Sequence, residues 1–366
     1  MVLAGGGTGG HVYPALAVAT ALRQDVVASR PGEDLEAVYL GPAARGEADL
    51  VQRAGVPWRA VSAGPLRVSR PWAFVWGLLR LAWGSLQAYR TLGRFRPDAV
   101  FATGGYASVP AALAAWLRRR PLILYLPDVE PGWAVRLTAR LARRVAVTVE
   151  ASLARLPSGK GVVTGYPVRE AFFGIDKAEA RRKLDLEPDL KTLLVSGATA
   201  GAHSINQAVA GNLPRLLALA QVVHVSGAAD HAWLLKVSER LPQGLRGRYH
   251  LHAYLHDEMP WAMGAADLAV MRAGASVLGE LTATGLPAIL VPYRYAGGHQ
   301  RHNAFYLMSL GGAIVMEDSQ LPQLYAMVRD LLGDETRLAE MAAALRSAAR
   351  PQAARDIARL LREVAA

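Results

Sequence analysis

Short apolar runs alternate with longer segments of mixed polarity along the first half of the chain. Met1 to Ala4, Ala37 to Leu40, Ala99 to Ala102, Leu122 to Leu126 and Arg144 to Val149 are of strand length, and the stretches between them are of helix length and amphipathic. The second half restarts the same alternation with LKTLLVSGA, VVHVSG, YHLHAYL, DLAVMR and PAILVP, each followed by a turn rich in glycine or small residues. Such alternation predicts α/β architecture with parallel sheets, and its restart predicts two Rossmann-like halves in tandem. Between them GKGVVTGYPVREAFFGIDKAEARRKLDLEPDLK carries proline, glycine and a charged run and reads as the linker zone. Ligands of open parallel sheets sit at the carboxyl ends of the strands, so two facing halves imply an active site in a cleft between them.

One segment departs from this alternation. Pro65 to Pro97, PLRVSRPWAFVWGLLRLAWGSLQAYRTLGRFRP, holds six arginines and no acidic residue. Trp72, Trp76, Leu79 and Trp83 recur at helical spacing and line one face. A core stripe has the same spacing, but tryptophans flanked by Arg67, Arg70, Arg80, Arg90 and Arg94 fit a helix or hairpin in an anionic lipid interface better. Trp116, followed by Arg118, Arg119 and Arg120, repeats the combination and extends the expected peripheral membrane patch.

Composition narrows the classes further. At 366 residues, 52% hydrophobic and 19% charged, the chain reads as globular with room for two cores. The absence of cysteine excludes disulfides and thiolate chemistry. No run reaches the ~18 apolar residues that span a bilayer, and no basic segment precedes an apolar signal core, so a cytoplasmic, peripheral location is expected. The first strand is short for a chain that begins inside it, which points to missing leading residues. A net charge of +11 favours an anionic partner, and no nucleic-acid-binding motif accompanies it. No metal site emerges: LDLEPD lies in the polar linker zone, and His250 and His252 have no carboxylate or cysteine at ligand spacing.

The opening MVLAGGGTGGHVYPALAVATAL contains Gly5, Gly7 and Gly10 in the G-x-G-x-x-G spacing of dinucleotide-binding proteins. A dinucleotide site also needs an acidic residue after the second strand, where Leu40, Gly41 and Pro42 stand instead. NAD and FAD are therefore disfavoured, and no cofactor is expected. What remains is a glycine turn before a helix N-terminus, an environment that favours anions. His11 follows it directly, and a histidine near a helix N-terminus stays neutral and accepts protons.

GGGTGGHVYPALAVA resembles the first glycine loop of the MurG family, bacterial transferases that add N-acetylglucosamine from its UDP donor to lipid I. Four further matches follow in order along nearly the whole chain: ATGGYASVPAALAA, VTGYPVR, the segment HAYLHDEMPWAMGAADLAVMRAGASVLGELTATGLPAILVPY, and GHQRHNA. The resemblance implies a GT-B fold, with an acceptor- and membrane-binding domain over residues 1–165 and a donor domain over 166–345. It also implies that the final helix, within 346–366, packs back on the first domain.

By resemblance Glu280 accepts both ribose hydroxyls of the nucleotide, Gln300 and its neighbour Asn303 read the hexose, and Leu255 and Met259 pack beside uracil. Thr8, Gly9, Arg169 and Thr199 join the donor site, with Arg169 and Thr199 at the diphosphate. Gly104, Gly105, Tyr106 and Ser108 shape the acceptor side. The expected reaction is inverting transfer to a muramyl hydroxyl, with UDP leaving, and it requires a base. His11 is the first candidate and Asp128 the second.

Two motifs depart from the family pattern. YLPDVEPG stands where the family has H-E-Q-N-x-I-P-G, placing Asp128 at the asparagine, Leu126 at the glutamate and Glu130 close by. SGATAGA stands for G-G-S-Q-G-A, so Ala198, Thr199 and Ala200 are changes. These departures leave two alternatives: a membrane-associated transferase acting on another lipid, or a weakened UDP-sugar-binding scaffold.

Overall fold

Strands that are apolar on both faces can sit inside a parallel sheet covered by helices on each side. The computed structural model describes residues 1–6, 9–29, 32, 34–42, 47–64, 71–197, 201–293 and 298–365. It divides into two units, Met1–Arg169 with Arg350–Ala366, and Glu170–Ala349.

In the first unit β1 (Val2–Ala4), β2 (Val38–Gly41), β3 (Trp58–Ala60), β4 (Val100–Ala102), β5 (Leu122–Leu126), β6 (Arg144–Val147) and β7 (Gly161–Val163) form one sheet. Its order is β3-β2-β1-β4-β5-β6-β7, with every pairing parallel. β1, β2, β4 and β5 are buried along their whole length, while the edge strands β3 and β7 are half-buried to exposed. That exposure explains why β3, with its central arginine, carries no apolar signature. β7 lies in the expected linker zone and is instead part of the sheet, pairing Val162 with Ala146.

Helix Gly9–Ser29 contains Pro14, which has no N–H for the carbonyl of Gly10. Tyr166 donates its hydroxyl to that carbonyl at 3.1 Å and supplies the missing bond. Against this helix packs Ala353–Ala365, which buries Ala353, Ile357, Ala358, Leu361 and Val364 along one stripe. Full burial of Ile357 and Leu361 contributes about 2 kcal/mol each. Arg362 and Asp25 close the pair at 3.4 Å, so the chain's last helix belongs to its first unit from Arg350 onward.

The second unit repeats the plan with β8 (Thr192–Ser196), β9 (Gln221–Val225), β10 (Tyr249–His252), β11 (Leu268–Met271), β12 (Ala288–Leu290) and β13 (Ala313–Val315). The order is β10-β9-β8-β11-β12-β13, again parallel throughout. β13 is an edge strand, buried at Ala313 and half-buried at Ile314 and Val315.

Candidate active site

In an open parallel sheet the ligand crevice lies where strand order reverses, at the carboxyl ends of the strands. In the first unit that point is between β1 and β4. The helix after β1 carries His11, and the turn after β4 carries Thr103, Gly104 and Gly105. Nδ1 of His11 lies 2.8 Å from the carbonyl oxygen of Thr103. A carbonyl only accepts, so Nδ1 carries the proton and the neutral ring keeps its lone pair on Nε2. Gly104 and Gly105 have φ of 83° and 72°, and a Cβ on Gly105 would stand 3.3 Å from Nε2. The glycine turn thus brings backbone to the basic nitrogen where a side chain would crowd it.

The other first-unit residues separate into two groups. Gly9 opens the His11 helix, Tyr106 is half-buried beside the glycine turn, and Asp128 is half-buried just beyond the carboxyl end of β5. Arg169 sets its guanidinium 5.1 Å from the ring centre of Tyr13, two residues from His11. By contrast Ser108, expected to face the acceptor, is 1% exposed and donates its hydroxyl to the carbonyl of Gly105 at 2.9 Å. Through this bond Ser108 secures the glycine turn. Leu126 is buried at the end of β5, and Glu130 is held by Arg136 at 2.6 Å and Arg155 at 3.3 Å. Thr8 lies outside the described residues, as do Thr199, Arg67 and Arg70.

In the second unit the order reverses between β8 and β11. Helix His203–Leu219 begins beyond β8, and Arg272 follows β11 directly. Arg272 is buried and donates to the Val291 carbonyl at 3.1 Å, to Asp318 at 3.1 and 3.2 Å, and to the Ser204 hydroxyl at 2.8 Å. It ties the ends of β11 and β12 to the start of the His203–Leu219 helix. Substituting Arg272 with Met leaves Asp318 and Ser204 without that partner and is expected to cost about 3 kcal/mol in urea unfolding.

Past Arg272 the chain turns into helix Val277–Thr284, where Glu280 is half-buried. Asn303 holds this turn, donating Nδ2 to the Ala273 carbonyl at 3.2 Å with none of its surface exposed. Through this bond the buried amide supports the turn that leads to Glu280. Gln300 is half-buried on helix His299–Ser309, and its Oε1 accepts from the Tyr293 backbone N–H at 2.9 Å. Leu255 is buried, and Met259 is half-buried at the start of helix Met259–Ala265.

A polar network beside this site carries no signature in the sequence beyond isolated residues. Asp230 accepts from His203 Nδ1 at 2.8 Å, Trp233 Nε1 at 2.8 Å and Asn206 Nδ2 at 2.7 Å. Burial opposes its charge, but these donors outweigh burial and hold its carboxyl below the ordinary value. Asn206 Oδ1 in turn meets His224 Nε2 at 2.9 Å, and His224 Nδ1 meets the Tyr249 hydroxyl at 2.9 Å. Desolvation pushes His224 down to about 3. A histidine depressed in the folded state binds its proton first when unfolded, so it costs nothing above about pH 6.5 and stability falls below that value. Between pH 6.5 and 4.5 its contribution is expected to fall with a slope that steepens toward about 1.4 kcal/mol per pH unit. Urea unfolding of wild type and His224→Gln across that range checks it, the variant showing the shallower slope.

The helix Pro71–Phe95 presents Trp72, Trp76, Leu79 and Trp83 to solvent, each more than half exposed, with Trp116 likewise on helix Val109–Leu117. The stripe is therefore a surface and not a core. Among the described residues no helix is long and apolar enough to cross a membrane, and no group of three potential metal ligands occurs.

Comparison with known proteins bears on both sites. The family model of the glycosyltransferase family 28 N-terminal domain matches residues 1–147, and that of the C-terminal domain matches residues 192–359. A UDP-N-acetylglucosamine--N-acetylmuramyl-(pentapeptide) pyrophosphoryl-undecaprenol N-acetylglucosamine transferase of Roseiflexus sp. (strain RS-1) is 42% identical over 98% of this chain and 93% of its own. The chain belongs to the MurG family. A relative of the same name from Moorella thermoacetica is 38% identical over 99% of this chain and 98% of its own. The crystal structure of Acinetobacter baumannii MurG matches with a TM-score of 0.72 at 25% identity, covering 99% of this chain and 98% of that one. Two parallel-sheet α/β units are thus the GT-B arrangement of the MurG family.

Proposed function

We propose that the chain transfers N-acetylglucosamine from UDP-N-acetylglucosamine to lipid I, with inversion, giving lipid II and UDP in peptidoglycan synthesis. Its near full-length relation to transferases named for this reaction carries the reading. The residues then take roles that follow from their chemistry. Nε2 of His11, its tautomer set by the Thr103 carbonyl, takes the proton of the muramyl hydroxyl as that oxygen attacks the anomeric carbon. The bond from the anomeric carbon to the diphosphate oxygen breaks, and UDP leaves with the electron pair.

The second unit holds the donor. Glu280 accepts the ribose hydroxyls, and Gln300 orients its amide, anchored through Oε1, toward the hexose. Amides at the start of helix His203–Leu219 favour the diphosphate, to which Arg169 adds charge. Leu255 and Met259 contribute the apolar side of the uracil site. Asp128 accepts an acceptor-sugar hydroxyl, beside Gly104, Gly105 and Tyr106. The exposed tryptophans of Pro71–Phe95, with Trp116, rest in an anionic membrane surface on its cytoplasmic face, where a polyprenyl-linked acceptor is available.

Titration of the purified chain with UDP-N-acetylglucosamine, followed by calorimetry, is expected to give saturable one-to-one binding. Absence of binding by UDP-N-acetylglucosamine and UDP alike would sink this reading.

A further inference from the structure

Glu130 falls on the isoleucine of the H-E-Q-N-x-I-P-G pattern, so a carboxylate replaces an apolar side chain two residues past Asp128. Its Oε1 accepts from Arg136 Nη2 at 2.6 Å, and its Oε2 pairs with Arg155 Nε at 3.3 Å. Arg136 stands on helix Trp133–Thr138, which follows β5, and Arg155 ends the short 3-10 helix Glu150–Arg155, which follows β6. Both elements start at the carboxyl end of the first unit's sheet, the end that carries His11 and Asp128. Helix Trp133–Thr138 packs beside the glycine turn, since a Cβ on Gly104 would meet Val135 Cγ2 at 3.2 Å.

Holding the loop does not account for two arginines. The Val129 carbonyl already accepts from the Ser152 hydroxyl at 2.8 Å, and the Pro127 carbonyl from the Thr148 hydroxyl at 2.8 Å. Ion pairs made by exposed arginines add little to stability. One carboxylate between two guanidiniums leaves a unit of positive charge, and the two cations repel across it. Among the described residues neither arginine has a second carboxylate partner. Glu130 is 18% exposed and the arginines 58% and 57%, so the carboxylate lies beneath and the guanidiniums stand in solvent. Arg136 commits Nε to the Pro131 carbonyl at 3.1 Å and Nη2 to Glu130, which leaves Nη1 for a ligand. Arg155 commits Nε alone, which leaves both of its terminal nitrogens. From Trp133 to Gly161 six basic residues face a single acidic one, Glu150, so the local field also favours an anion. Trp133 and Leu137 add exposed apolar surface on either side of Arg136.

We infer that Arg136 and Arg155 form a subsite for a carboxylate of the peptide carried by the acceptor. The inference rests on the transfer reading above, in which Asp128 meets the acceptor sugar, and the relatives named above act on an N-acetylmuramyl-(pentapeptide) acceptor. Glu130 is two residues from Asp128, at most about 7 Å of chain, and five residues of extended peptide reach about 17 Å. A peptide that starts at the sugar therefore reaches both guanidiniums. Its carboxylate completes a cluster of two guanidiniums and two carboxylates, balancing the charge and using the open donors. Glu130 is then a positioning residue that fixes the two forks in one geometry.

The test measures transfer from UDP-N-acetylglucosamine by the full chain, without vesicles, to two soluble short-chain lipid I analogues. One carries its peptide with free carboxyls, and the other has every peptide carboxyl amidated while keeping the diphosphate. Wild type is expected to show a KM about tenfold higher for the amidated analogue, the loss of one charge-assisted contact. Arg136→Gln/Arg155→Gln is expected to raise KM about tenfold for the free-carboxyl analogue and to treat the two analogues alike, with kcat and donor KM unchanged. Arg143→Gln/Arg144→Gln removes the same charge at the amino end of β6 and is expected to behave as wild type. The comparison of analogues on wild type reads the contact without altering the protein, so a folding defect in a variant cannot imitate it. Equal KM values for the two analogues on wild type, a pocket variant that still discriminates between them, or an equal loss in the control overturns the subsite and leaves the transfer reading standing. No transfer to either analogue sinks that reading, and the subsite falls with it.

Discussion

Replacing His11 with alanine is expected to lower kcat for transfer by about 10²–10⁴-fold, the range for loss of a positioned general base. Affinity for UDP-N-acetylglucosamine should change little, because Glu280, Gln300 and Leu255 lie on other elements. The size of the effect follows from how the ring is held. Its Nδ1 proton is committed to the Thr103 carbonyl, so Nε2 alone is basic, and Gly105 keeps the space beside it free of a side chain. Losing the ring also deprives the Thr103 carbonyl of one donor, worth about 1 kcal/mol, which thermal unfolding registers separately. A His11→Ala enzyme that turns over at the wild-type rate would transfer the base to Asp128, just beyond the carboxyl end of β5.

The second large effect is expected at Glu280. A carboxylate accepting two ribose hydroxyls makes two charge-assisted bonds, each worth about 1.5–3 kcal/mol. Glu280→Ala should therefore raise KM for the donor by about 10²-fold or more, with a smaller change in kcat. Glutamate in the first turn of Val277–Thr284 also complements the helix dipole, worth only about 0.3–1 kcal/mol. Steady-state kinetics alongside urea unfolding separates these roles. Lower stability with an unchanged donor KM would leave Glu280 a helix-dipole residue and nothing more.

How much was legible beforehand depended on the physical signal at each position. Central strands such as β1, β5 and β8 announce themselves because both faces are buried and their inner positions are apolar. The edge strands β3 and β7 are half open to solvent, so an arginine in one and a glycine in the other are tolerated and the pattern fades. The stripe of Pro71–Phe95 was legible as one face of a helix, but only exposure distinguishes surface from core. Ser108 and Asn303 show a different limit. A polar residue inside a binding motif serves equally well by touching ligand or by holding the backbone that does, and both of these hold backbone. Asp318 stands 46 residues from Arg272, and Tyr249 stands 25 from His224, so no local spacing betrays either pair.

The central claim is tested most directly by incubating the purified chain with radiolabelled UDP-N-acetylglucosamine and a lipid I analogue and following label into the lipid. The account predicts stoichiometric transfer to the muramyl hydroxyl, with release of UDP and inverted configuration at the new anomeric centre. Label that reaches only other lipids, or a chain that binds the UDP-sugar and never turns it over on the analogue, would contradict it.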